Sequence, residues 1–305
     1  MAIIRTKKTA TATVVLLLIA TLLYCCISTT HVVVHAFTTT GQKYQTTTQK
    51  QQRLMTRRFL NSQEENNGND EPAPDDDDEQ ILRLKNELLI LALKTDRGFK
   101  ASRERRQEAV QIIDSLAALN PTAEPASPYY EDQTYIPGPN MSGKWTLVYT
   151  DAPDITSLAS SSPTAKLGRI GQECNPPYIK NVIEWKRPDW AEALPFSGTR
   201  ESRILQKVCT KATASPNDPL QLNLDLAGIE LVTADDEQEE SSFWDAIQND
   251  GLPVGLLKQA PVVLEGPATV PFGKARILYL DDQMRILRTQ QNFVAVNVRS
   301  EPDWF

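Results

Sequence analysis

The chain has 305 residues, of which 32 are Lys or Arg, 39 are Asp or Glu, four are Cys and two are His. Positions 1–60 hold eight Lys and Arg and no acid, leaving 24 basic residues against 39 acidic ones in the remainder, a net charge of −15. A body this acidic has no broad positive field for nucleic acid or anionic lipid headgroups. With both histidines at positions 31 and 35, that body also lacks Ser-His-Asp triads, Cys-His dyads and HExxH zinc sites.

In chain order, residues 1–36 predict a signal peptide. Arg5, Lys7 and Lys8 form a basic start, Val14 to Tyr24 is apolar, and Val34-His35-Ala36 places small residues at a cleavage site. The strictly apolar core is shorter than the roughly 20 residues of a membrane span. Residues 37–60 carry Lys43, Lys50, Arg53, Arg57 and Arg58 among many threonines, with no Asp or Glu, the composition of a transit peptide. A signal peptide followed by a transit peptide, with Phe37 at the junction, resembles the bipartite presequence of algae with secondary plastids, diatoms among them. That resemblance implies delivery to the plastid through the secretory system. Residues 61–79, with Pro72, Pro74 and the acidic run Asp75 to Glu79, predict a disordered linker.

Residues 80–121 read as a helical leader. Ile81, Leu84, Leu88 and Leu91 repeat at three- and four-residue spacing, and the acids before them favour a helix N-terminus. Gly98 predicts a stop in the turn Thr95-Asp96-Arg97-Gly98, and Ser102 a cap for a second helix with the stripe Val110, Ile113, Leu116 and Leu119. Two short amphipathic helices cannot stand alone, so their apolar faces must cover something.

From residue 140 to 300 the pattern changes to short alternating runs separated by turn residues. Strands are predicted over Gly143–Thr150, Arg169–Cys174, Tyr178–Lys186, Gly198–Thr213, Leu220–Val232 (one strand, or two broken at Gly228), Ala275–Asp281, Arg285–Thr289 and Phe293–Arg299. Sequential strands without interleaved helices argue for antiparallel order. The expected fold is therefore mainly β: a lipocalin-like antiparallel barrel of about eight strands, preceded by two short amphipathic helices.

In the first strand, Gly143 permits a turn that a side chain would obstruct, and Trp145 is large enough to plug one end of a barrel. The Gly-x-Trp entry resembles the calycin pattern. Alternation places Trp145, Leu147 and Tyr149 on one face, taken as inward. With Trp185 they are the expected lining or floor of an apolar site. Asp281 and Asp282 are read as a hairpin turn rather than as a carboxylate pair, because adjacent residues on a tight turn diverge. Arg285 and Arg288 fall on opposite faces of the next strand; the calycin resemblance implies that one of them stacks on Trp145 as a structural contact. Phe243, Trp244 and Ile247, in a capped helical segment within 241–255, are read as a lid, a lipid-surface patch or an ordinary barrel-end helix. Cys174 and Cys209 are too few for an all-cysteine zinc site; they are either a strand-to-strand disulfide or two reduced thiols. No cofactor and no metal is expected.

Three motifs in register resemble the plastid lipid-associated protein family, the fibrillins or plastoglobulins. They are Lys94-Thr95-Asp96-Arg97-Gly98 leading to Leu116-Ala117-Ala118-Leu119-Asn120-Pro121, Gly143-Lys144-Trp145 with Leu147-Val148-Tyr149-Thr150, and Tyr279-Leu280-Asp281-Asp282 with Met284-Arg285-Ile286 and Arg288. The match runs from about Ile81 to Arg299. It departs from the family pattern at Thr289-Gln290-Gln291-Asn292, which has no glycine, and at the acidic insertion 235–240. The resemblance implies a barrel at thylakoids or plastoglobules that binds or organises quinones, carotenoids or acyl lipids. Two other readings compete. An enzyme acting on a plastid lipid would need a buried carboxylate of raised pKa, with Glu184, Asp225 and Glu230 as candidates. A scaffold recruiting another plastid protein would have a filled barrel and an exposed aromatic patch.

Overall fold

The computed structural model describes residues 76–130, 139–161, 165–188, 203–234, 257 and 262–300. The expected signal peptide, the transit peptide, the linker up to residue 75, the acidic insertion 235–240 and the segment with Phe243, Trp244 and Ile247 lie outside the described residues.

Two helices come first, α1 over Asp76–Lys94 and α2 over Arg103–Ala118. Helix α1 begins inside the acidic run that reads as linker: Asp76, Asp77, Asp78 and Glu79 form its first turn, where carboxylates meet the positive end of the helix dipole. Ser102 caps α2 by accepting from the Arg105 amide at 3.3 Å. A single 3₁₀ turn, Ser127–Tyr129, leads toward the barrel.

The strands are β1 Gly143–Thr150, β2 Lys166–Asn175, β3 Tyr178–Lys186, β4 Arg203–Ser215, β5 Asp218–Thr233, β6 Val262–Leu280, β7 Met284–Thr289 and β8 Val294–Arg299. Two one-turn helices, α3 Pro153–Thr156 and α4 Leu158–Ser161, sit between β1 and β2. Each strand pairs antiparallel with its neighbour, and β8 closes on β1 to give a barrel in sequence order. Closure removes every sheet edge among these strands.

The helices lie on the outside of the wall formed by β1 and β6 to β8. Leu84, Leu88, Leu91, Ala109, Ile113 and Leu116 pack in one cluster with Val148, Leu278, Met284, Ile286, Val294 and Val296. These strands are thus buried on both faces, which explains continuous apolar runs such as Ile277-Leu278-Tyr279-Leu280 in place of alternation. The inner face holds two further clusters, one around Trp145, Ile179, Leu222 and Leu280 and one around Leu147, Ile170, Ile183 and Trp185.

Residues 95–98 join the leader to the barrel. Asp96, Arg97 and Gly98 all have positive φ, and the Arg97 carbonyl accepts from the Thr150 amide at 3.0 Å. A β-carbon on Gly98 would lie 2.0 Å from the Thr150 carbonyl oxygen, so only glycine lets the turn approach the end of β1. Arg97 is buried and donates from Nη1 to the Gly168 carbonyl at 3.0 Å, tying the same turn to β2.

Candidate functional site

The inner floor is built around Trp145. Gly143 enters β1 at φ +113, and the indole Nε1 donates to the Met141 carbonyl at 2.8 Å. The ring is fully buried and carries two guanidinium groups, Arg285 at 4.8 Å and Arg299 at 4.3 Å from the ring centroid. Arg285 is thus the arginine of the expected pair, and Arg299 adds a second cation from the end of β8. Arg299 also donates to the carbonyls of Asp282, Ser142 and Asn140, closing the barrel end over the tryptophan. Burial lowers its pKa from the ordinary arginine value, with Asp282 opposing.

Arg288 faces outward and donates to Asp114 on α2 at 2.7 Å, so Arg285 and Arg288 do take opposite faces. Arg285 is fully buried; its Nη1 donates to Cys174 Sγ at 2.9 Å and its Nη2 to Gln172 Oε1. Beside them Gln172 Nε2 donates to Asn181 Oδ1 at 2.5 Å. Higher in the barrel, Trp185 Nε1 donates to Gln206 Oε1 at 2.9 Å. These polar residues missing from the expected lining all sit on inward positions of the register, opposite Trp145, Ile183 or one another. Alternation marks their face; their grouping becomes visible only once strands are paired.

Of the expected lining residues, Trp145, Leu147 and Trp185 belong to the interior clusters. Tyr149 does not. The β1–β8 register shifts between Leu147 and Tyr149, so that Leu147 opposes Asn297 and Tyr149 opposes Val296. The bulge at Val148 reverses the alternation and turns Tyr149 out beneath the helices, in the cluster with Leu88 and Ile113. Burial there pushes the Tyr149 hydroxyl up to about 12, with Asp151 adding to the effect. A matching shift between Ile277 and Tyr279 in β6 places Tyr279 in the same outer layer.

Asp281 makes the turn and more. Its Oδ1 accepts from the amides of Gln283 and Met284 at 2.8 and 2.7 Å. Its Oδ2 accepts from Lys85 Nζ at 2.8 Å and Tyr279 Oη at 2.6 Å. Burial opposes the charge, yet Lys85 and these donors hold the carboxyl below the usual aspartate range. The Asp282 carbonyl serves Arg299.

The candidate acids for catalysis point away from the interior. Glu184 faces outward opposite Leu205 and is fully buried between Arg169 and Arg203, at 3.2 and 3.1 Å. Burial works against its charge, but hydrogen bonds from the Arg169 side chain and backbone prevail and lower its pKa. Glu230 pairs with Lys180 at 3.0 Å on the outer face, and Asp225 occupies an outward register position opposite Lys211. Cys174 points inward and Cys209 occupies an outward position opposite Lys180; no disulfide joins them. Among the described residues no group of three His, Cys, Asp or Glu side chains is placed to hold a metal ion, and no helix is long and apolar enough to cross a membrane.

Inward positions along β4 and β5 keep solvent contact. Val208, Leu224, Leu226, Ile229 and Leu231 lie on the register rows of the interior residues Asn181, Ala212, Thr210 and Gln206, yet each is only half-buried. Gln172 and Asn181 are half-buried as well. The arrangement is a floor sealed by Trp145 and its cations, with an apolar wall rising from it along β4 and β5.

The PAP_fibrillin family model matches residues 82–296. Among curated relatives, a chromoplast-specific carotenoid-associated protein of Cucumis sativus is 26% identical over 220 residues, which is 68% of this chain and 65% of that protein. A plastid-lipid-associated protein of Citrus unshiu is 26% identical over 234 residues, 72% of this chain and 68% of its own length. A probable plastid-lipid-associated protein 2 of Arabidopsis thaliana is 33% identical over 133 residues, 42% and 40% of the two chains. The chain thus spans about two thirds of the length of the first two relatives. No solved structure matches at the same stringency. With a family model covering both the helical leader and the barrel as far as β8, the chain belongs to the PAP_fibrillin family.

Proposed function

We propose that this protein is a plastid lipid-associated protein that takes apolar lipids (quinones, carotenoids or acyl lipids) into its barrel, at the surface of thylakoids or plastoglobules. The observation that carries the reading is the half-buried inward wall of Val208, Leu226, Ile229 and Leu231 above a sealed floor. Apolar area left open inside a closed barrel gains about 25 cal/mol per Å² when a lipid covers it. The names of the cucumber and citrus relatives, carotenoid-associated and plastid-lipid-associated, point the same way. Plastid delivery rests on those relatives and on the composition of residues 1–60.

The role is binding rather than catalysis. A raised-pKa carboxylate is what a histidine-free site would need, and Glu184 is instead held charged by two arginines outside the barrel. Phe243, Trp244 and Ile247 serve in this reading as the lid or surface patch through which the lipid enters. The test is to purify the protein from plastid membranes, extract the lipid that accompanies it, and titrate the emptied protein with a quinone, a carotenoid and a fatty acid. Retention and uptake of at least one is expected; uptake of none would overturn the reading.

A further inference from the structure

Arg285 is the cation of the interior, and among the described residues its charge meets the Trp145 ring but no carboxylate. It is fully buried, and its register neighbours Leu280 and Asn297 fix it on the inward face. Of five guanidinium N–H groups, one goes to a thiol, a weak acceptor, and one to the Gln172 amide oxygen, while Nε has no partner. Outside the interior, buried Lys85 meets Asp281, half-buried Arg169 and Arg203 meet Glu184, and buried Arg97 gives Nη1 to the Gly168 carbonyl. Of the strand acids whose side chains are described, Glu173, Glu184, Asp225 and Glu230 take outward register positions and Asp218 bonds Arg276. A desolvated cation without an anion is costly, and it favours a ligand that supplies one.

A second donor stands in the same place. The Tyr129 hydroxyl is buried beside the Cys174 thiol, a weak partner. Gln172 and Asn181, next to the cation, point inward and remain half-buried. From that point the apolar wall of Leu224, Leu226 and Ile229 leads away along β5.

We propose that Arg285 anchors the head of the bound lipid, and that this lipid is a single acyl chain ending in a free carboxylate, held head-down on the barrel floor. A carboxylate accepts two N–H groups of a guanidinium side by side, which neutral quinones and carotenoids cannot match. The inference rests on the proposed function, since it requires that lipid enters the barrel at all.

The test compares oleate with methyl oleate and with a neutral prenylated quinone, each titrated into the purified full-length protein at pH 8 and followed by tryptophan fluorescence. Oleate is expected to bind at least about tenfold more tightly than its methyl ester, the size of one charge-assisted interaction. Arg285→Met should abolish that preference while leaving ester binding in place. Where this variant does not fold because Trp145 loses its partner, the acid-to-ester ratio in the unaltered protein still decides. Equal affinity for acid and ester, or tighter binding of the quinone, would overturn the head-group assignment and leave lipid binding standing. Absence of binding by all three would overturn both.

Discussion

Lys85 on α1 reaches Asp281, 196 positions later in the β6–β7 turn, at 2.8 Å, and both side chains are largely removed from water. This contact ties the helical leader to the barrel. Replacing Lys85 with Met leaves the Asp281 carboxylate with Tyr279 and two backbone amides but without its cation, and should cost about 2–4 kcal/mol in urea unfolding. The sign of the pH effect follows from the depressed pKa of Asp281. Its contribution is complete above the unfolded aspartate value of about 4 and declines as pH falls through the lower folded value. Stability of the unaltered protein should therefore drop more steeply below about pH 4 than that of Lys85→Met.

Gly98→Ala should be among the most damaging single changes in the leader. The new β-carbon would meet the Thr150 carbonyl oxygen at 2.0 Å, and the residue would have to hold φ +89. The backbone oxygen cannot move without disturbing the end of β1. A loss of about 2–4 kcal/mol is expected from positive φ and overpacking together. A melting temperature within a degree or two of the unaltered protein would show that the turn does not need glycine.

Cys174 and Cys209 should behave differently toward alkylation in the absence of reductant. Cys209 is half-buried at an outward position, whereas Cys174 is buried against Arg285. Peptide mass spectrometry after brief iodoacetamide treatment should find Cys209 modified first and Cys174 protected until the protein is unfolded. A Cys174–Cys209 disulfide in the native protein would contradict the inward and outward placement.

Much of the barrel is legible in the sequence because its strands either alternate or are bounded by turn residues. Gly143–Thr150 and Tyr178–Lys186 fall at the limits read from the pattern alone. The first half of β6 was not legible: Gly266, Pro267, Pro271 and Gly273 break any period, yet Val262 to Lys274 pairs along β5 with two register shifts. Tyr149 takes the face opposite to the one alternation gives it for a related reason. A bulge adds one residue and reverses every later side chain, and nothing in Leu147-Val148-Tyr149 announces it. The Trp145 floor could be read from Gly143 and Trp145, but Arg299 joins it from the far end of the chain, and Gln172 and Tyr129 join it through strand pairing and loop closure.

The central claim is that lipid is held inside the barrel, against the inward wall of β4 and β5. Val208 lies on that wall opposite Asn181 and Ile229, while Lys211, three residues on, is exposed on the outer face. Uptake of oleate and a prenylated quinone should be measured for Val208→Trp and Lys211→Trp beside the unaltered protein, with thermal melting to confirm that each remains folded. The tryptophan at 208 is expected to fill the space and lower uptake at least about tenfold, while the one at 211 leaves it unchanged. Undiminished uptake in a folded Val208→Trp protein would place the lipid elsewhere and contradict the account.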